Sequence, residues 1–455
     1  MENNILDLEK ALEYAEAKNV TELKAILRDA EPADIAALFD MIPQEQLPVV
    51  FRLLNKELAA EVFVEMDPDS QEHLILTFTD NELRGILDEI YLDDTVDILE
   101  EMPANVVTRI LKNSTNDSRM AINQLLSYPK DSAGSIMTIE FVSLRPNMTV
   151  KEAFDHLRKT GTESEAIYTC YVTENKKLLG VISVYTLLLS SYDTVISDIM
   201  NTNVISVHTS EDREEAASLL TKYDFLALPV VDNESRLVGI ITIDDAIDVI
   251  NEEDEEDIAK MSAITPTDRP YMKTSPFVIW LTRIPWLLIL MLSATFTGII
   301  ISSFENALAA QVTLTAFIPM LMGTGGNAGS QASVTVIRGL SLDEIKFSDT
   351  FKVLLKELSV SALCGITLAV ATFLKILIVD NLLLGNNISL AVALVVSITM
   401  AATIILAKLL GCSLPILASK LRLDPAVMAS PFITTIVDAL SLLLYFTIAS
   451  AVLGL

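Results

Sequence analysis

The sequence predicts a multidomain membrane protein: an all-α superhelical N-terminal domain, a central α/β tandem pair, and an α-helical transmembrane domain with five spans. Three observations predict it. Charge is partitioned, with 22 Lys+Arg against 53 Asp+Glu in residues 1–270 but 10 against 8 from Tyr271 to Leu455. The stretch between Ser135 and Ile250 repeats itself, and apolar runs follow it that mostly approach the ~20 residues a helix needs to cross a bilayer. A net charge of −31 before Tyr271 and +2 after it describes an acidic soluble body joined to a membrane body. The natural boundaries are 1–130, 131–250, a connecting helix at 251–275, and 276–455.

The first region, Leu6 to Leu126, carries short amphipathic helical patterns. Related pieces stand at Ile35–Met41, Leu58–Met66 and Thr95–Met102, each followed by Pro within two residues and then by another helical pattern. That recurrence predicts a helical superhelix whose apolar stripes form core. Its strong negative charge repels phosphates and attracts cations, so nucleic acid is not an expected partner. Met1–Ala30 lacks the basic start and apolar stretch of a secretion signal, which places this body in the cytoplasm. Cys170, Cys364 and Cys412 show neither CxxC spacing nor a pairing pattern. His73, His156 and His208 belong to no nucleophile–base, Walker or HExxH motif, so an enzyme is not expected.

In the second region Ser135–Met137 recurs as Asp198–Met200, Lys151–Ala153 as Glu214–Ala216, and Leu179–Ser183 as Val238–Thr242. Each copy reads strand, helix, strand, strand, helix, with Leu228–Asp232 the best-marked strand. The pattern resembles a tandem pair of CBS domains, regulatory modules that often bind adenine nucleotides. No residue in this copy identifies a ligand, and a purely structural pair stands beside nucleotide binding. Next comes an acidic helix, Asp244 to Asp257, in which six acids from Glu252 to Asp257 lie side by side. Their repulsion must be relieved by solvent or by cations. A helix joining a sensor-like module to a membrane body is where a gate would be coupled.

The membrane region has apolar runs near Ile284–Ser303, Leu308–Met322, Val360–Val379, Ser389–Leu410 and Ala426–Leu455, read as five spans. Arg338, Lys346, Lys352 and Lys356 follow the second and Lys420 and Arg422 the fourth. The positive-inside rule then puts the N-terminus in the cytoplasm and the C-terminus outside a cell inner membrane. The second span carries Pro319–Gln331, whose glycine-rich part Gly323–Gln331 reads as a non-helical polar interruption, tolerated at membrane depth only beside protein or a water-filled cavity. Gly325 and Gly326 would admit close backbone approach, and Asn327, Ser330 and Gln331 would supply oxygens. Helix packing through small residues is the alternative.

In the last run Asp438 is the one residue charged at neutral pH between Ala426 and Leu455. A carboxylate at that depth is costly and by default marks an ion path. Ser430, Thr434 and Asp438 stack at i, i+4 and i+8 on one helical face, and Pro431 removes a backbone donor beside them. The alternative is a buried pair with Lys408 of the fourth run. Oxygen ligands without His, Cys or Met select Mg²⁺, Ca²⁺ or Mn²⁺, and Mg²⁺ is commonly held through its waters by one or two carboxylates.

Taken with GTGGNAGSQ at 323–331 and DPAVMASPFITTIVDA at 424–439, this arrangement resembles the MgtE family of bacterial magnesium channels over essentially the whole chain. The resemblance implies a homodimer in the lipid bilayer with its pore on the axis, Asp438 holding hydrated Mg²⁺, and the connecting helix as a plug. It also implies closure by cytoplasmic Mg²⁺ bridging acids. Matching positions are Asp93 and Asp97 in the helical domain, Asp224 in the second repeat, Asp245, Asp248, Glu253, Glu256 and Asp257 on the connecting helix, and Asp424 before the last span. Ser430 departs from the Asn common at that position of the family. An ion-coupled secondary transporter with Asp438 as proton carrier, and a CBS-regulated receptor without transport, are the rival readings.

Overall fold

The computed structural model describes residues 7–161, 164–267, 271–342, 344–428 and 430–454. The chain forms two compact units, Met1–Asn251 and Glu252–Leu455.

Among the described residues the first unit starts with ten short helices: α1 (Leu8–Glu16), α2 (Val20–Leu27), α3 (Pro32–Met41), α4 (Leu47–Phe51), α5 (Lys56–Val64), α6 (Pro68–Thr77), α7 (Asp80–Leu87), α8 (Leu92–Glu101), α9 (Ala104–Asn113) and α10 (Asn116–Leu125). Their starts are written in the sequence. Pro32 and Pro68 occupy first-turn positions, where a missing N–H costs nothing. Thr79 and Glu82 close a reciprocal capping box at the head of α7. α3 packs on α5, α5 on α7 and α7 on α9, the nearest-neighbour stacking of a superhelix. Inside it Phe39, Phe63 and Phe78 surround Phe51 with ring centroids 5.4–6.2 Å away.

Each repeat then builds a three-stranded sheet of one topology. In the first, β1 (Phe141–Leu144) runs parallel to β2 (Ala166–Glu174), which pairs antiparallel with β3 (Lys177–Ser183). The parallel pair needs a crossover, supplied by α11 (Val150–Thr160) with its own capping box from Thr149 and Glu152. After the short helices α12 (Val184–Leu189) and α13 (Ile196–Ile199), the second repeat follows suit. β4 (Val207–His208), α14 (Arg213–Tyr223), β5 (Ala227–Val231) and β6 (Leu237–Thr242) lead into α15 (Ile243–Met261). The repeats also exchange edges: Thr138 forms a backbone pair with Ile240 of β6, and Asn201 with Val181 of β3. The repeated glycines permit it, since a Cβ on Gly239 would lie 2.7 Å from the Thr138 carbonyl and one on Gly180 2.9 Å from that of Asn201. The acidic helix expected at 251–275 thus starts earlier and ends at Met261.

The second unit contains α16 (Pro276–Ser303), α17 (Glu305–Ala310), α18 (Ile318–Ser341), α19 (Thr350–Lys375, continued as a π-helix to Leu383), α20 (Leu390–Lys420) and α21 (Ser430–Leu453). Among the described residues four helical stretches are long and apolar enough to cross a membrane: Pro276–Ser303, Phe347–Leu383, Leu390–Lys420 and Pro425–Leu453. The run read as the second span, Leu308–Met322, instead covers α17, a 3₁₀ turn (Val312–Phe317) and the start of α18. α18 has the length of a span, but its glycines and polar residues keep it out of the apolar set. α18, α20 and α21 pack on one another over a core that includes Val396, Met400, Ile404, Ile433 and Val437. α16 packs on α21 yet buries none of its residues within the chain.

Candidate functional site

Gly323–Gln331 is helical, not the broken backbone expected from its composition. None of its glycines takes a left-handed φ. They serve close packing instead: a Cβ on Gly325 would lie 2.7 Å from Thr403 Cγ2, one on Gly326 3.0 Å from Thr434 Cγ2, and one on Gly329 2.8 Å from Ile433 Cγ2. Gly411 of α20 meets the Gly329 carbonyl directly. Small residues therefore let α18 sit in the groove between α20 and α21, the alternative weighed for this motif. That packing leaves Gly323, Asn327 and Gln331, four residues apart, exposed along one face of α18. A polar face exposed on a helix at this depth needs water or protein against it.

On α21, Thr434 and Asp438 are half-buried one turn apart. The Thr434 hydroxyl donates to the Pro431 carbonyl at 2.9 Å, and the Thr435 hydroxyl shares that acceptor. Ser430 begins the helix, but its side chain lies outside the described residues. Lys408 does not reach Asp438; its buried ammonium faces the half-buried Glu357 of α19 at 3.9 Å. Among the described residues no ammonium or guanidinium lies within 4.0 Å of Asp438.

In the first unit a second acidic site assembles. α8 begins after Tyr91 without a side-chain cap, and Glu140, from the segment before β1, accepts the Leu92 N–H at 2.9 Å instead. Asp93 and Asp94 occupy the first turn, where the helix dipole favours anions. Asp93 is buried, and one of its oxygens lies within 4.8 Å of oxygens from Glu165, just before β2, and Asp245 of α15. Oδ1 of Asp93 and Oε2 of Glu165 are buried without a hydrogen-bond partner. Burial first, and then the neighbouring carboxylates, push Glu165 and Asp245 well above the usual carboxylate range. Asp94 is pushed up to about 7 by the same causes. Three converging carboxylates with orphaned oxygens suit a hard cation such as Mg²⁺ and offer nothing to a soft one. Asp94 and Glu140 also line an acidic cleft of about 360 Å³ with Glu57, Glu61 and Asp88.

Of the other expected sensing acids, Asp97 lies exposed one turn beyond Asp93, Asp248 is exposed on α15, and Asp224 ends α14 on the surface in a left-handed conformation (φ 53°). Glu253, Glu256 and Asp257 belong to the second unit, where Asp257 is half-buried and pushed up to about 6 by burial and by the charge of Asp424. Glu165, Asp94 and Glu140 were not anticipated. Asp94 adjoins Asp93 in the first turn of α8, whereas nothing local marks Glu140 and Glu165, because only the fold carries them to that helix.

Comparison with known proteins agrees with this layout. Residues 318–448 match a family described as a divalent cation transporter, residues 30–131 an MgtE intracellular N domain, and residues 133–192 and 196–252 the CBS domain. The magnesium transporter MgtE of Thermus thermophilus is 36% identical over 98% of both chains, and that of Bacillus subtilis is 33% identical over 95% of this chain and 94% of the other. Among solved structures, the cytosolic domain of the Mg²⁺ channel MgtE in complex with ATP is 38% identical with a TM-score of 0.50, covering 52% of this chain and 98% of that one. The soluble part of a magnesium transporter is 31% identical with a TM-score of 0.50, covering 54% of this chain and 97% of that one.

Proposed function

The chain belongs to the MgtE family of magnesium transporters, and from that premise we propose how it carries Mg²⁺ and how cytoplasmic Mg²⁺ closes it. It is a multi-pass membrane protein that transports Mg²⁺, with a cytoplasmic N-terminal domain, and it is not an enzyme. Asp438 and Thr434, with Ser430 at the head of the same helix, form the pore site for hydrated Mg²⁺. Gly325 and Gly326 seat α21 against α18, and Asn327 presents its amide toward the path. The observation that carries this reading is Asp438 itself, an acid at membrane depth with no cationic partner among the described residues. A homodimer supplies the second wall: one chain leaves the Gly323, Asn327 and Gln331 face of α18 exposed and buries no residue of α16 fully. Counting α18 as a span gives five and puts the C-terminus outside.

Closure is assigned to the acids. Asp93, Glu165 and Asp245 would hold one regulatory Mg²⁺ in the first unit, with Asp97 and Asp248 nearby on the same two helices. Glu253, Glu256, Asp257 and Asp424 would serve the connecting helix, and Asp224 the second repeat. Without metal their repulsion loosens the assembly, and a divalent shifts it toward the closed state by binding that state better. The CBS pair is assigned an adenine nucleotide, which the ATP complex of a relative supports. The test is Mg²⁺ flux into liposomes with a pH and Na⁺ series. Flux independent of both, lost in Asp438→Ala, supports the pore; flux that follows either gradient turns the reading into coupled transport.

A further inference from the structure

Lys260, near the end of α15, holds two carboxylates at once. Its ammonium donates to Glu256 one turn back, and it lies 2.6 Å from Asp424 Oδ2. The other Asp424 oxygen accepts the Ala426 N–H at 2.7 Å and so starts the 3₁₀ turn Pro425–Met428 that leads into α21. Both oxygens of Asp424 are therefore engaged. Lys260 and Asp424 are each about a quarter to a third exposed (25% and 32%), so the contact is only partly screened by water. Burial alone would lower the Lys260 pKa, but Asp424 and Glu256 more than offset it and hold it above the usual lysine value. Asp257 stands beside this pair and feels the charge of both Asp424 and Lys260.

We propose that Lys260 is a resident counter-ion that latches the connecting helix to the segment entering the Asp438 helix when no divalent is bound, and that Mg²⁺ acting at Glu256 and Asp424 must displace it. The inference rests on the proposed closure and adds a competitor to it. One ammonium offsets one of the three negative charges of Glu256, Asp257 and Asp424, whereas a divalent offsets two. Exchange of lysine for Mg²⁺ thus tightens the contact, and the need to evict a tethered cation weakens the apparent affinity. A sensor of an abundant ion needs that weakness.

The experiment uses the full chain in liposomes, with divalents chelated on the cytoplasmic side and Mg²⁺ supplied on the other. Lys260→Met is expected to raise the initial flux about two- to fivefold, the scale of a partly exposed ion pair, while saturating cytoplasmic Mg²⁺ still closes it. Lys260→Arg should behave as the parent. Asp424→Asn, whose amide oxygen can still accept from Ala426 but whose charge is gone, should raise flux by a similar factor, and the double variant no further than either single. A rise in flux cannot come from misfolding, and should Lys260→Met not fold, Asp424→Asn carries the test. The proposal is overturned if both variants match the parent without divalents, if Lys260→Arg rises like Lys260→Met, or if the two effects add. Failure of the closure reading would show differently, as a parent protein indifferent to cytoplasmic Mg²⁺.

Discussion

Two sites, one in each unit, handle carboxylates in opposite ways. In the first, Asp93, Glu165 and Asp245 are forced together with their neighbours Asp94 and Glu140, and two buried oxygens are left without partners. In the second, Asp438 stands by itself on a helix seated by glycines. Crowding stores repulsion that a cation can release, which makes a switch. Isolation gives a single weak attraction that an ion can leave, which makes a passage. The contrast teaches that charge density is a poor guide to where the transported ion goes: on the proposed reading the crowded acids sense the ion and the solitary one passes it.

The comparison breaks most visibly at Asp438. Asp438→Ala should reduce Mg²⁺ flux to that of empty liposomes while the purified protein elutes unchanged on size exclusion; retained flux would move the passage elsewhere. Next in size is the packing that seats α18. Gly329→Leu places a branched side chain where even a Cβ would lie 2.8 Å from Ile433. Overpacking of this kind costs about 1–3 kcal/mol or more, and thermal unfolding should show a lower midpoint together with lost flux. In the acidic half the effect should be on control alone. Asp93→Asn with Asp245→Asn should leave maximal flux intact and raise the Mg²⁺ needed for half-closure by roughly tenfold, within the usual range of coupling energies. Unaltered closure would unseat the trio.

The smallest effect concerns pH. Asp94 at about 7 and Asp257 at about 6 sit above the ordinary carboxylate value of 3.8, so the folded chain keeps protons that the unfolded chain has released. Stability from these groups is full below about pH 4 and falls as pH climbs through their raised values. In chelator, the unfolding midpoint should drop by roughly 2–4 °C between about pH 5 and about pH 7.5. Mg²⁺ should recover it at the higher pH, and Asp94→Asn should flatten the slope.

Much of this was legible in the sequence, because periodicity and repetition are local. The Ile-Met and Gly motifs marked both repeats, the prolines after Met41, Met66 and Met102 marked helix boundaries, and the absence of other charge in the last run singled out Asp438. Glycine chemistry misled at 323–331: the same residues that permit a broken backbone also permit a straight helix against two neighbours, and only the presence of Thr403, Ile433 and Thr434 decides between them. The trio was half visible. Asp93 and Asp245 were expected, but Glu165 approaches α8 from the bend just before β2, about seventy residues downstream. Lys408 was weighed against Asp438 and found with Glu357, a choice set by which helices adjoin.

The swapped edges of the tandem repeats carry a consequence for how this protein can be taken apart. Because Thr138 completes the sheet of one copy and Asn201 that of the other, neither half is a self-contained brick. A fragment cut between them would lose that borrowed backbone pairing at the edge of each sheet, where unpaired amides invite strands of other molecules. The two repeats are thus tied by backbone as well as by sequence, each lending the other one strand-edge pairing.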